Sequence, residues 1–276
     1  MTSARVEGTK LKLAIASLGS IGLEVAKYVD RGDVPGIELS LVTARSLEKA
    51  KQNVIDFSKP PKVVPLDDFR EFDILLECAP SALYESIAKK AIAEKALMLS
   101  LSVGALLDRM YLVEKARENG ASIIVPTGAL LGLDAVRAAA QSEIYKVQMV
   151  TRKPPGALAG APFLVENNIL IDNLTEEKLV FSGSAREAAR GFPANVNVGA
   201  ALALAGIGPD RTTLEIWADP NVDRNIHKII VESDSSDFSM TIENRPSDTN
   251  PGTGKITALS AIAALKRLSE PLVIGT

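Results

Sequence analysis

The stretch Leu11–Gly22 reads LKLAIASLGSIG, an apolar run that ends in a turn containing glycine. Its first part, Leu11–Leu18, has the length and composition of a strand buried on both faces. Ile21–Val29 then continues as a helical segment. The stretch therefore predicts a strand, a tight turn and a helix, the opening of a parallel α/β sheet.

More short apolar runs follow, separated by segments that predict helices. The runs are Ile37–Thr43, Asp73–Cys78, Ala96–Leu101 and Ala121–Pro126. The segments Ser81–Lys95 and Leu107–Asn119 predict helices, and Gly120 is expected to end the second. This alternation predicts an α/β fold with an N-terminal Rossmann domain, a doubly wound parallel sheet, over residues 1–138.

After about residue 140 the pattern changes to successive strands with few helices. The strand candidates are Ile144–Thr151, Leu179–Ser182, Thr213–Ala218, Ile226–Ser233 and Asp237–Glu243. Ser184 and Glu187 have the spacing of a capping box, and an Ala-rich helix is expected over Asn195–Ala205. These features predict a second α+β domain over 139–250, for substrate binding, catalysis and dimerisation. The segment 251–276, with the amphipathic helix Thr257–Leu268, is expected to pack back on the first domain.

Composition excludes several classes of protein. The 276 residues are 46% hydrophobic and carry a net charge of −3, which gives no basic surface for nucleic acid or membrane. A single cysteine and a single histidine allow no intrachain disulfide and make a zinc site improbable, so we expect no metal. The N-terminal residues lack the apolar core of a signal peptide, and no apolar run is long enough to cross a bilayer. We expect a soluble cytoplasmic protein.

The glycine turn predicts a dinucleotide site. Gly19 would let the backbone approach a pyrophosphate, and Gly22 would let the helix pack closely on the strand. The N–H groups that open the helix, around Ser20 and Ile21, would bind the phosphates. Ser17 replaces the first glycine of the usual pattern, so a tight turn without a ligand is the alternative.

Arg45 follows the second predicted strand, where NAD-binding domains usually have an acid for the ribose hydroxyl. An arginine there can accept a 2′-phosphate, so we predict that NADP is tolerated alongside NAD, or preferred. A solvated loop charge is the alternative interpretation. Ala79 and Pro80, at the end of the DILLEC strand, are further candidates for cofactor contact, with turn chemistry as the alternative. The neighbouring Cys78 is expected to be a small buried apolar residue, not a nucleophile.

Blocks spread over most of the chain resemble the L-aspartate dehydrogenase family. They are TGALLGLDA at 127–135, TRKPP at 151–155, FPANVNV at 192–198, ADP at 218–220, NIH at 225–227 and TALSA at 257–261. The resemblance implies oxidation of L-aspartate to iminoaspartate with NAD or NADP, followed by hydrolysis to oxaloacetate and ammonia or entry into NAD biosynthesis. It also implies a homodimer.

The resemblance also implies roles for particular residues. His227 matches the active-site histidine of the family, and an unperturbed imidazole titrates near neutrality, which suits proton transfer. A lone histidine in a strand is otherwise more often structural. Asn197, or next Asn195, matches a cofactor-binding position, with a helix N-cap as the alternative. Ala129 or a near neighbour matches another such position.

A dicarboxylate substrate needs cationic partners. Arg152, Lys153 and Lys255 are the candidates for substrate binding, and each has a surface charge as its alternative. Two rival functions stay open. One is another NAD(P)-linked reductase, of the homoserine or dihydrodipicolinate type, because fold does not fix function. The other is a sensor that binds dinucleotide without catalysis.

Overall fold

The first sheet of the computed structural model consists of six parallel strands. In chain order they are β1 (Leu11–Ala16), β2 (Ile37–Thr43), β3 (Lys62–Val63), β4 (Ile74–Glu77), β5 (Leu97–Ser100) and β6 (Ser122–Ile124). Their order across the sheet is β3-β2-β1-β4-β5-β6, so the direction of winding reverses between β1 and β4. The predicted doubly wound parallel sheet is confirmed. Sequence analysis missed β3, because two residues are too few to show a hydrophobic pattern.

A second sheet has five strands. They are β7 (Ile144–Lys153), β8 (Lys178–Ser184), β9 (Thr213–Ala218), β10 (Asn225–Ser233) and β11 (Asp237–Asn244). The order is β11-β10-β7-β9-β8, in which β7 and β9 are parallel and all other neighbours are antiparallel. Buried and more exposed residues alternate along most of β7 and β10, so one face of each strand is covered. The sheet is mixed, as the strand pattern predicted.

The structure describes residues 10–193, 196–247 and 253–275. Within these residues the helices are α1 (Ser20–Asp30), α2 (Leu47–Val54), α3 (Tyr84–Ala93), α4 (Val103–Leu107), α5 (Tyr111–Asn119), α6 (Leu133–Ala139), α7 (Pro162–Glu166), α8 (Ala185–Gly191), α9 (Asn197–Ala205) and α10 (Lys255–Arg267). The capping box of Ser184 and Glu187 opens α8 as predicted. Gly120 ends α5 in the left-handed conformation, φ 76°, also as predicted.

The chain divides into two compact units that do not follow one simple boundary. The first contains described residues from 10–102, 109–126 and 258–273, and the second contains those from 103–108, 127–257 and 274–275. The helix expected over Leu107–Asn119 begins only at Tyr111, as α5 of the first unit, whereas Leu107 ends α4, which belongs to the second unit. The second unit also resumes at Thr127, earlier than the predicted boundary at residue 139.

Aliphatic residues form the core of the first unit. Leu13 and Ile15 of β1 are fully buried, and they belong to the same hydrophobic cluster as Ala261 and Leu265 of α10. The last helix thus completes a core whose first strand lies at the other end of the chain. In the described part of the chain, no helix combines the length and the hydrophobicity needed to cross a membrane.

Candidate functional site

The turn between β1 and α1 presents backbone. Gly19 precedes α1 in an extended conformation, and a methyl group added to it would lie 3.9 Å from the nearest non-adjacent atom, the Ser17 hydroxyl oxygen. The N-cap residue Gly19 has no side chain with which to cap α1, and the first turn of the helix contains no acidic residue. The N–H groups at a helix N-terminus bind anions, phosphate above all. The geometry of the turn therefore fits a pyrophosphate.

Gly22 is required by close packing. A Cβ atom at this position would lie 2.0 Å from the Ser17 carbonyl oxygen and 3.0 Å from the Cys78 sulfur. A backbone oxygen cannot move away as the end of a side chain can, so only glycine fits here. The turn thus brings α1 as close to β1 as the dinucleotide-binding pattern requires.

Ser17 has the backbone conformation of the glycine that it replaces. Its φ is 90°, in the left-handed region that favours glycine. Its N–H donates to the Thr43 carbonyl at 2.7 Å, and its own carbonyl accepts the Cys78 thiol at 3.2 Å. These hydrogen bonds hold the turn despite the strain. Burial raises the pKa of the Cys78 thiol, which agrees with the prediction that Cys78 is not a nucleophile.

Arg45 is exposed and lies two residues beyond β2. Among the described residues, no hydrogen bond or ion pair holds its guanidinium group. The adjacent Ser46 caps α2 by accepting the Lys49 N–H at 3.3 Å. The backbone of Arg45 thus lies at the carboxyl edge of the sheet, between β2 and the capped start of α2. Its exposed guanidinium group is available to an anionic ligand.

Glu77, which sequence analysis did not single out, is the last residue of β4 and is fully buried. Its Oε1 accepts the Ala79 N–H at 3.1 Å and the Ser102 hydroxyl at 2.8 Å. Its Oε2 accepts the N–H groups of Leu101 and Ser102 at 3.2 and 2.9 Å. Burial raises the pKa of Glu77, and the hydrogen bonds oppose that rise. An acid inside the apolar run DILLEC was the signal that could have revealed it.

The cofactor candidates of the second unit are held by amide hydrogen bonds. The Asn244 Nδ2 donates to the Ala129 carbonyl at 3.0 Å and fixes the turn after Gly128, whose φ is 62°. Asn197 is the first residue of α9, and its Oδ1 accepts the Gly104 N–H at 3.0 Å. Asn197 therefore supports α4 instead of capping its own helix. Asn195 lies outside the described residues.

A buried polar cluster lies at one end of the second sheet. His227 of β10 is opposite Thr151 of β7, and a hydrogen bond joins the His227 Nδ1 to the Thr151 hydroxyl. Lys153, two residues further along β7, is on the same face of its strand as Thr151. The exposed fractions of His227 and Lys153 are only 2% and 3%. We call Thr151, Lys153 and His227 the His227 cluster.

Burial sets the protonation of this cluster. It lowers the pKa of His227 to about 3, and the positive charge of Lys153 contributes to the same shift. Burial also lowers the pKa of Lys153 to about 8. Burial therefore moves the pKa of His227 well below that of an unperturbed imidazole. The imidazole of His227 is therefore uncharged near neutral pH. In this form it can accept a proton, but it cannot act as a cationic acid.

Arg152 does not share this face. Successive residues of a strand point to opposite sides, so Arg152 and Lys153 lie on opposite faces of β7. The Arg152 guanidinium forms ion pairs with Glu177 and Asp219 and lies 5.2 Å from the centre of the Trp217 ring. With its charge already paired, Arg152 is a weaker candidate than Lys153 for binding a substrate carboxylate, and its role in substrate binding stays a prediction.

Lys255 is the first residue of α10 and is exposed. Its backbone N–H donates to the Arg245 carbonyl at 2.9 Å. It lies in a different element from the His227 cluster, and its role as a substrate anchor stays a prediction. Sequence analysis proposed Lys153 and His227 separately. The hydrogen bond by which Thr151 of β7 contacts His227 of β10 was not predicted.

Two family models and several curated relatives match most of this chain. Residues 134–268 match the family model described as "Aspartate dehydrogenase, C-terminal", and residues 18–126 match "Homoserine dehydrogenase, NAD binding domain". The L-aspartate dehydrogenase of Bradyrhizobium diazoefficiens is 53% identical, over 97% of this chain and 95% of its own. L-aspartate dehydrogenase 3 of Bordetella bronchiseptica is 50% identical, over 97% of this chain and 98% of its own.

A solved structure shares the fold. The crystal structure of aspartate dehydrogenase from Thermotoga maritima superposes with a TM-score of 0.72 at 22% identity, covering 96% of this chain and 99% of that one. At 22% identity this similarity supports a shared fold only. The family models and the full-length relatives identify an NAD(P)-dependent oxidoreductase with a Rossmann domain. This chain belongs to the L-aspartate dehydrogenase family.

Proposed function

We propose that this protein oxidises L-aspartate to iminoaspartate with NAD or NADP, and that the imine is hydrolysed to oxaloacetate and ammonia. The observation that carries the proposal is the His227 cluster, a buried base and a buried cation on the substrate domain of a dehydrogenase. The names of the full-length relatives support aspartate as the substrate. The family model of homoserine dehydrogenase matches only residues 18–126, so it carries no argument about the substrate.

The first unit fits the cofactor. The open backbone at Gly19 and the uncapped start of α1 would hold the pyrophosphate, with Ser20, Ile21 and Gly22 completing the turn. Ala79, Pro80, Ala129, Asn195 and Asn197 are the further proposed contacts. When bound, NAD or NADP supplies the hydride acceptor.

The reaction requires that hydride leaves the α-carbon of aspartate while the amine nitrogen loses a proton, which forms a carbon–nitrogen double bond. Water then adds to that carbon, and the carbon–nitrogen bond breaks to release ammonia. We assign proton transfer to His227, which is neutral and therefore able to act as a base. We assign a substrate carboxylate to Lys153, whose pKa of about 8 leaves it mostly cationic near neutral pH.

These two roles are electrostatically coupled. The charge of Lys153 helps to keep the pKa of His227 low. A carboxylate bound to Lys153 offsets that charge, so substrate binding raises the basicity of the imidazole. The base thus becomes stronger when a substrate carboxylate is present.

An absorbance screen for NAD(P)H formation across amino acids, with aspartate and homoserine included, tests the proposed reaction. We expect aspartate to give the highest kcat/KM. Preference for homoserine would establish the rival reductase. Fluorescence titration with NADH distinguishes an enzyme from a sensor. Binding of NADH without turnover of any amino acid would indicate a sensor.

Arg45 provides a separate test of cofactor choice. We propose that its guanidinium binds the 2′-phosphate, so NADP is accepted. Arg45→Ala should raise the KM for NADP by roughly 10-fold while leaving the KM for NAD within about twofold. An unchanged ratio of the two KM values would show that Arg45 is only a loop charge.

We also propose a homodimer in the cytoplasm. The resemblance to the family suggests the dimer, and a chain with one cysteine is suited to a reducing compartment. Light scattering after size-exclusion chromatography checks the dimer. A monomer at working concentration would contradict it.

A further inference from the structure

Glu77 is a buried charge that the proposed reaction does not use. It ends β4, on one side of the point where the strand order reverses. In folds of this type the dinucleotide lies across the carboxyl ends of the strands at that point, and its pyrophosphate lies at the first turn, after β1. The adenosine half then extends over β2, so the nicotinamide half extends over β4 and β5. Glu77 therefore ends a strand over which the nicotinamide half, the half whose charge changes, would extend.

The hydrogen bonds favour the ionised carboxylate and oppose the burial that raises the pKa of Glu77. Both of its oxygens accept backbone N–H groups, which can only donate: Ala79 to Oε1, and Leu101 and Ser102 to Oε2. The Ser102 hydroxyl adds a further donor to Oε1 at 2.8 Å. Donors to both oxygens favour the ionised form, which has no proton to donate.

Those hydrogen bonds also join two strand ends. Ala79 follows β4, and Ser102 follows β5, so a single carboxylate holds both loops in place. The Ser102 hydroxyl is within 3.0 Å of the Ala79 carbonyl as well. Glu77 therefore has a fixed position at the carboxyl edge of the sheet, with donors that favour its negative charge.

We propose that Glu77 is an electrostatic positioning residue that stabilises the oxidised cofactor, whose nicotinamide ring is cationic, relative to the neutral reduced ring. A fixed negative charge attracts the oxidised ring and has no such effect on the reduced one. Bound NADH then gives up hydride more readily than NADH in solution, which shifts the reaction on the protein towards amination of the oxo-acid. The inference rests on the dinucleotide site and does not depend on aspartate being the substrate.

The test is the ratio of the Kd for NAD to the Kd for NADH, measured by calorimetry without a second substrate. Glu77→Gln should raise this ratio on the order of 10-fold, the size expected for one unit charge about 12 Å away at an effective dielectric constant of about 20. A merely structural role would weaken both affinities together and leave the ratio unchanged. That result would overturn the proposal.

Two variants serve as controls. Asp73→Asn removes the same charge just before the opposite end of β4, where the Asp73 carboxylate accepts the Lys12 N–H at 2.8 Å. Glu77→Asp keeps the negative charge but shortens the side chain, and so loosens the same hydrogen bonds to the two loops. Both should leave the ratio within about twofold of the wild-type value. A tenfold rise in either variant would mean that the ratio does not report the charge of Glu77 and would overturn the proposal.

A measurement on the unmodified protein covers the case in which Glu77→Gln does not fold. The probe is an analogue of NAD with a neutral benzamide ring in place of nicotinamide. NAD should bind about tenfold more tightly than this analogue. Equal affinities would overturn the proposal even where both ligands bind well. If neither form of the cofactor binds, the proposed dinucleotide site and this inference fail together, whereas a lack of aspartate turnover leaves the inference standing.

Discussion

Glu77 in the first unit and Lys153 in the second are both buried residues that end a strand. The two differ in the groups that surround the charged atoms. The Glu77 carboxylate accepts hydrogen bonds on both oxygens from two neighbouring loops. Around Lys153 burial dominates, and it lowers the pKa of the ammonium group to about 8. The nearby imidazole of His227 is shifted further, to about 3.

This difference separates a fixed charge from an adjustable one. The donors around Glu77 favour its ionised form against the burial that raises its pKa, so we expect its charge to stay constant during the reaction. A buried ammonium and a buried imidazole with lowered pKa values respond when a ligand brings a charge close to them. We therefore expect cofactor binding to depend on loops held by hydrogen bonds, and substrate chemistry to depend on groups that change protonation.

The largest effect is expected at His227. His227→Ala should lower kcat by roughly 10²–10⁴ and leave the Kd for NADH unchanged, because it removes the proposed base and no cofactor contact. His227→Asn, which can still form a hydrogen bond to Thr151, should be similarly impaired. Stopped-flow and steady-state kinetics check both variants. A kcat near the wild-type value would remove His227 from the mechanism.

The adjacent pair Arg152 and Lys153 tests which face of the second sheet binds substrate. Lys153→Met should raise the KM for aspartate by roughly 10²-fold, because it removes a buried cation from a carboxylate. Arg152→Met removes the same charge from the opposite face and should change that KM by less than about fivefold. Comparing both values under the same conditions checks the assignment. A larger effect at Arg152 would reverse it.

Substitution of Gly22 tests how closely α1 packs on the turn after β1. Gly22→Ala should destabilise the protein by about 3 kcal/mol, because the added methyl group would lie 2.0 Å from the Ser17 carbonyl oxygen. Gly19→Ala is the matched control, since its methyl group would meet nothing closer than 3.9 Å and should cost less than about 1 kcal/mol. Urea unfolding measures both. Equal losses of unfolding free energy would show that the close approach at Gly22 is relaxed in solution.

A smaller gain is expected at Ser17. Ser17→Gly should stabilise the protein by about 1 kcal/mol, because glycine adopts a φ of 90° without strain. Ser17→Ala keeps the strained backbone and removes only the hydroxyl group, so it should bring no such gain. Thermal unfolding of the two variants decides the matter. The same Tm for both would show that the turn stores no strain.

Prediction from the sequence worked where the signal was local. The run LKLAIASLGSIG predicted β1, the turn and α1, and the capping box of Ser184 with Glu187 was also correct. The separation of Arg152 from Lys153 could have been predicted from strand alternation alone, once β7 was extended to Lys153.

Other features depend on residues far apart in sequence. The contact of Thr151 with His227 spans 76 positions, and the lowered pKa of His227 follows from burial that no local pattern reveals. The hydrogen bonds from Leu101 and Ser102 to Glu77 likewise span 24 and 25 positions. The split between α4 and α5 arises because the chain passes from one unit to the other there.

The most direct test of the central claim uses the fact that the chain has one histidine. Its ring gives a single set of NMR signals, which can be titrated with pH in the protein alone and with NADH and succinate, an unreactive dicarboxylate. We predict a pKa of about 3 for His227 without ligand, and a higher value when succinate offsets the charge of Lys153. Titration near 6.5 without ligand, or ring signals that saturating succinate leaves unchanged, would contradict the assignment of the His227 cluster as the substrate site.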